Sequence, residues 1–115
     1  MINATVEFGH KGQTLKGKVV YRLDRGGLTH PVVLTVLVAH KTYAVQLRDA
    51  KFGDLKGRKA LVRDYGENLV IAEITAQEND FGPVEVEDQT THRRFWVGYD
   101  RVHYLMAEKW KRQAA

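Results

Sequence analysis

The chain has neither cysteine nor serine. Without cysteine there is no disulfide framework, no thiolate metal ligand and no cysteine nucleophile. Without serine the commonest hydroxyl nucleophile is missing too, and no threonine stands in a recognisably activated setting. Proline is nearly absent: Pro31 and Pro83 are the only two, each beside a turn signal. Long hydrophobic runs are also lacking. The longest, residues 32–39, is interrupted by Thr35 and falls far short of the ~20 residues that span a bilayer. The opening Met-Ile-Asn-Ala-Thr-Val-Glu has neither the basic nor the apolar region of a secretory leader. These absences predict a cytoplasmic chain with no membrane partner.

Catalytic and cofactor motifs are missing as well. His10, His30, His40, His92 and His103 are scattered, with no two at ligand spacing. Neither a phosphate-cradling Gly-x-x-x-x-Gly-Lys-Ser/Thr loop nor a strand-linked Gly-x-Gly-x-x-Gly is present. Glu85, Glu87 and Asp88 form a local acid cluster, but strand alternation sends Glu85 and Glu87 outward together, as on a solvated face. The chain therefore reads as a non-enzyme, with no cofactor and no metal.

What is present is the composition of one ordinary domain. The 115 residues are 43% hydrophobic and 28% charged, enough for a self-sufficient core. Charge is segregated along the chain. Residues 1–63 carry 12 Lys/Arg against 4 Asp/Glu, residues 64–91 carry 8 acids and no Lys or Arg, and residues 92–115 carry 6 basic residues against 2 acids. Such blocks make either a bipolar surface or a set of neutralising pairs on adjacent strands.

Period-2 segments punctuated by turn residues dominate. Residues 5–8, 15–23, 32–39, 43–48, 59–63, 69–75, 84–87 and 94–99 read as strands. Gly9-His10-Lys11-Gly12 is a turn, residues 49–58 are a basic loop, and Asp64-Tyr65-Gly66-Glu67-Asn68 is a hairpin connection. In 15–23, alternation puts Leu15, Gly17, Val19, Tyr21 and Leu23 on one face and Lys16, Lys18 and Arg22 on the other. The nearly continuous apolar run 32–39 predicts a strand covered on both sides, or the central strand of a tightly closed barrel. If the barrel is open, that strand becomes an edge able to drive self-association. Val102, Leu105, Met106 and Trp110 recur at helical spacing after Asp100, predicting a C-terminal amphipathic helix over about 100–112. The expectation is a single mainly β domain over 1–115. It is a small barrel of about seven short strands within 4–99, closed by that helix.

Residues 5–20, Thr-Val-Glu-Phe-Gly-His-Lys-Gly-Gln-Thr-Leu-Lys-Gly-Lys-Val-Val, resemble the opening hairpin of SH3-like barrels of the KOW and Tudor type, and residues 56–66 are similar in flavour. The resemblance implies a small binding barrel, a superfold whose members bind RNA or peptides or serve purely structural roles.

Two functions follow as expectations. The first is nucleic-acid binding through a basic face of Lys16, Lys18, Arg22, Lys56, Arg58, Lys59, Arg93 and Arg94, with Trp96 as a stacking platform. Phe95, Val97 and Tyr99 alternate with Trp96 and read as core. The second is a protein-interaction module or inhibitor using the bipolar surface, of the kind common among accessory proteins of mobile elements.

Overall fold

The computed structural model describes residues 1–23 and 32–106. Within them lie nine strands: β1 Thr5–His10, β2 Gln13–Leu23, β3 Val33–Val38, β4 Lys41–Gln46, β5 Lys59–Arg63, β6 Leu69–Gln77, β7 Val84–Asp88, β8 Arg94–Val97 and β9 Val102–Leu105. Short 3-10 turns occupy Leu47–Asp49 and Tyr99–Arg101. The strands form two antiparallel sheets, one ordered β1-β2-β3-β4 and the other β8-β7-β6-β5-β9. The mainly β expectation holds. The closed barrel of about seven strands does not, because the strands divide between two separate sheets, with β1 and β4 at the edges of one and β8 and β9 at the edges of the other.

Two-residue turns set the first sheet. His10 pairs with Gln13 across Lys11 (φ 49°) and Gly12 (φ 79°), the positive-φ pair that a tight hairpin requires. Val38 pairs with Lys41 across Ala39 (φ 55°) and His40. Inward residues of both sheets form one core: Val6, Phe8, Val19, Leu34, Val36 and Val45 meet Val62, Ile74, Val84, Val86, Val97, Val102 and Leu105. Strand β3 departs from expectation. It lies between β2 and β4 rather than at an edge, and only one of its faces is buried, since Leu37 is exposed.

Three bulges reshape the period-2 pattern. On β2, Val19 pairs with Val36 but Tyr21 with Thr35, so Val20 is the extra residue. The parity flip turns Arg22, paired with buried Leu34, inward. Lys16, Lys18 and Arg22 therefore do not share a face, and Tyr21 and Leu23 point outward. On β6 the extra residue is Thr75, between Ile74↔Val86 and Ala76↔Glu85, and it turns Gln77 inward opposite buried Val84. On β9 it is His103, between Tyr104↔Leu61 and Val102↔Val62.

The third bulge corrects the helix expectation. Val102 and Leu105 are both buried although three residues apart, because the bulge inserts one residue between two inward positions. A bulged strand thus imitates helical spacing. Residues 99–105 are a 3-10 turn followed by a strand, and the remainder of the expected helix, 107–112, lies outside the described residues.

The sheets are tied by residues 1–4. Ile2 bridges β9, donating to the His103 carbonyl (3.0 Å) and accepting from the Leu105 N–H (2.8 Å). Asn3, at φ 72°, redirects the chain so that its N–H reaches the Val19 carbonyl (2.9 Å), while Val19 donates to the Ala4 carbonyl (2.9 Å). Asn is among the few non-glycine residues that adopt this conformation readily.

At Gly17 the backbone of β2 passes too close to β3 to admit a side chain. A Cβ there would lie 2.4 Å from the Leu37 carbonyl oxygen and 2.7 Å from Val38 Cγ2, whereas one at Gly9 would meet nothing within 4 Å. Gly17→Ala should destabilise the protein by about 1–3 kcal/mol through overpacking against backbone, and Gly9→Ala should leave stability nearly unchanged. Urea unfolding of the pair checks this.

Candidate functional site

The two inward polar residues created by bulges are committed to backbone. Arg22 donates from Nη1 to the carbonyls of Val102 (3.0 Å) and Tyr99 (3.5 Å) and from Nη2 to that of Asp100. It clasps the turn at the start of β9. Gln77 donates from Nε2 to the Gly53 carbonyl and to the Tyr99 hydroxyl (2.7 Å), and its Oε1 accepts from the Leu55 N–H (2.9 Å). Tyr99 in turn donates to the Asn79 carbonyl (3.2 Å) and packs its ring 4.4 Å from that of Phe52. This hub fastens the 50–58 connection against the second sheet.

Other residues of the expected basic face are similarly engaged or dispersed. Arg58 donates from Nη2 to the Met106 carbonyl (2.7 Å). Lys59 stands on β5 opposite Glu73. Arg94 on β8 pairs with Glu87 (3.0 Å), which His92 also approaches (3.4 Å). Lys16 and Lys18 lie together on the exposed outer face of β2, Lys56 is on an exposed turn, and Arg93 is exposed on the β7–β8 connection. Trp96 is 45% exposed, on the outer face of β8 opposite Glu85. The nine residues are thus spread over three sheet faces and two loops. Phe95, Val97 and Tyr99 pack into the core as the alternation implied.

The segregated charge blocks meet one another. Lys51 pairs with Asp80 (3.5 Å), Arg94 with Glu87 and Arg101 with Glu67 (3.2 Å). Each of these pairs joins a basic block to the acidic one. The Arg94 hydrogen bond, helped by that of His92, holds the Glu87 carboxyl below its ordinary value of 4.5. Asp88 is buried and spends Oδ1 on the N–H groups of Thr90 (2.8 Å) and Thr91 (3.3 Å), shaping the turn. Among the described residues no group of three or more His, Asp or Glu is placed to hold a metal ion, and no helix is long and apolar enough to cross a membrane.

The feature that alternation did not reveal is the outer face of the five-stranded sheet. Register aligns Tyr104, Leu61 and Ile71 across β9, β5 and β6. Tyr104 is 43% and Ile71 47% exposed, and Leu69, exposed as well, extends the patch opposite Arg63. The adjacent row is charged: Lys59, Glu73, Glu87 and Arg94 lie in register across β5, β6, β7 and β8. The sequence signal for this face was the run Leu69-Val70-Ile71-Ala72, which is apolar on both faces of a strand although only one face meets the core.

At one end of the same sheet, a cleft of about 250 Å³ lies between Tyr65, Phe95 and Arg93. Tyr65 donates its hydroxyl to the Trp96 carbonyl (2.6 Å) and receives the Arg101 guanidinium 4.8 Å from its ring centre. Comparison with family models, with curated proteins and with solved structures returns no match. The class defined by the geometry is a two-sheet antiparallel β domain with a partly apolar, exposed sheet face.

Burial pushes the Tyr99 hydroxyl from its ordinary 10.0 up to about 12, against a downward pull from the Gln77 hydrogen bond, with Asp80 adding to the rise. The folded state favours the protonated phenol, so this contribution is complete below pH 10 and is lost as pH climbs toward 12. Tyr99→Phe should cost about 1 kcal/mol at neutral pH through lost hydrogen bonds. It should also flatten the Tyr99 share of the alkaline decline, read from urea midpoints at about pH 8 and about pH 11.

Proposed function

We propose that the chain is a protein-interaction module that docks a partner on the outer face of its five-stranded sheet. The observation that carries this reading is the Tyr104–Leu61–Ile71 row, exposed at Tyr104 and Ile71, beside the Lys59–Glu73–Glu87–Arg94 row. An apolar strip flanked by charges of both signs is the composition of a recognition surface: the apolar part contributes affinity and the charged part sets specificity and register. The partner presents an apolar strip of its own, with charges that meet both acids and both cations. The small size of the domain and the commitment of Arg22, Arg58 and Arg94 to internal acceptors support this over a basic-groove function.

Nucleic-acid binding is the second reading, favoured by Lys16 and Lys18, side by side and exposed on the outer face of β2. One set of variants separates the two. With the purified chain as bait for cell extract, Ile71→Arg and Glu87→Lys should abolish specific capture of protein, while Lys16→Glu with Lys18→Glu leaves it intact. The reverse pattern, with nucleic acid co-purifying at low salt and stripped at high salt, would overturn the protein-partner reading.

A further inference from the structure

The cleft at the end of the second sheet lies between two turns that share one design. In the β5–β6 turn, Asp64 Oδ1 accepts the N–H groups of Gly66 and Asn68 (both 2.9 Å). In the β7–β8 turn, Asp88 Oδ1 accepts those of Thr90 (2.8 Å) and Thr91 (3.3 Å). The second oxygen, Oδ2, of each carboxylate has no partner among the described residues. Both residues line the cleft of about 250 Å³, together with Thr91, Arg93 and the rings of Tyr65 and Phe95. Asp88 is the only charged side chain buried among the described residues, at 7% exposure. A buried carboxylate is costly unless its charge is met. Arg93, on the same lining, is exposed and makes no ion pair among the described residues.

The walls are aromatic. Tyr65 and Phe95 meet edge to face, with ring centres 6.2 Å apart at 64°, and the Tyr65 hydroxyl is tied to the Trp96 carbonyl (2.6 Å). The Tyr65 ring already receives one guanidinium, that of Arg101 at 4.8 Å, and Arg101 is not part of the cleft lining. A carboxylate oxygen without a donor and an aromatic wall both favour a cation. A metal ion does not suit them: no group of three acids or histidines is gathered among the described residues, and rings offer such an ion no oxygen ligand. A quaternary ammonium suits the rings but has no N–H for Asp88. A primary ammonium has the N–H groups but is strongly hydrated. A guanidinium satisfies both demands, being planar, weakly hydrated and supplied with N–H donors in a fixed fork. The volume lies below the ~300 Å³ at which pockets for drug-sized ligands begin, so it takes one such group on a short stem.

We propose that this cleft binds a guanidinium, presented by a small molecule or by an arginine side chain of a peptide. Its N–H groups bond Asp88 Oδ2 and its plane lies against the Tyr65 ring, with Asp64 supplying a second negative charge from the opposing turn. Arg93 sets a like charge beside the site and weakens it. A carboxylate or phosphate ligand would depend on Arg93 instead, so that residue gives the test a change of sign. The inference is independent of the outer-face reading, because Asp88 and Phe95, paired with buried Ala72 and Val86, point to the other side of the sheet.

The test is a titration of the isotope-labelled chain with ethylguanidinium and, separately, with a blocked Gly-Arg-Gly peptide, followed by amide chemical shifts. Saturable shifts are expected at Gly66, Thr90 and Thr91, whose N–H groups bond the two carboxylates, with Val36 in the first sheet unmoved. Binding of the peptide identifies an arginine side chain as the source, and binding of ethylguanidinium alone identifies a small molecule. Asp88→Asn, which keeps an oxygen for the turn, should weaken binding about tenfold or more. Tyr65→Leu should weaken it about threefold and Tyr65→Phe should leave it unchanged, while Arg93→Ala should tighten it. Tyr65 and Arg93 are exposed, so their variants report even where Asp88→Asn loses the fold. No shift with either probe overturns the proposal, as does loss of binding in Arg93→Ala or binding that Asp88→Asn leaves unchanged.

Discussion

The structure depends on how Arg22 is aimed. A regular β2 would carry its guanidinium into solvent beside Lys16 and Lys18. The bulge at Val20 turns it inward instead, where it gathers the carbonyls of Tyr99, Asp100 and Val102. Two of those carbonyls, of Tyr99 and Asp100, belong to a 3-10 turn, whose oxygens have few partners within the turn itself, and the third opens β9. The clasp therefore fixes the start of β9, and β9 in turn receives Ile2 at its edge. From Ile2 the chain passes through Asn3 to Val19, one residue before the bulge. Arg22 and residues 1–4 thus close one circuit, which holds the two sheets over a single core.

The same device recurs at the other end of Tyr99, whose hydroxyl Gln77 binds. The bulge at Thr75 turns Gln77 inward, and its amide organises the 50–58 connection through Gly53, Leu55 and Tyr99. Arg22, Lys51, Arg58, Arg63, Arg94 and Arg101 are employed in this way, on carbonyls or on acids of the 64–91 block. Exposed ion pairs contribute little individually, whereas charge-assisted bonds to otherwise unpartnered backbone contribute more. Charge in this protein holds segments in place. The partly apolar outer face of the second sheet remains exposed.

Much of the strand content was legible in the sequence, because alternation and turn chemistry agree wherever the ladder is regular. Residues 59–63 were read to the residue, the turn read at Gly9–Gly12 narrows to Lys11-Gly12 because Gly9 and His10 belong to β1, and the Asp64–Asn68 connection follows from glycine and from the Asp64 carboxylate accepting the N–H groups of Gly66 and Asn68. The failures share one cause. A bulge shifts parity by one residue and leaves no compositional mark, so Arg22 was assigned to the wrong face. For the same reason Val102 and Leu105 were given a helical period that belongs to a bulged strand. Basic residues were grouped by proximity in sequence, but the sheets distribute them over different faces. The Tyr104–Leu61–Ile71 row joins residues from three strands and exists only once register is known.

Unfolding of Arg22→Gln against the wild type tests this account most directly. The substitution keeps a polar side chain that cannot span the three carbonyls. Loss of the charge-assisted bonds should lower stability by about 2 kcal/mol or more. Stability unchanged within about 0.5 kcal/mol, the range of an ordinary surface substitution, would contradict the claim that this guanidinium holds the two sheets together.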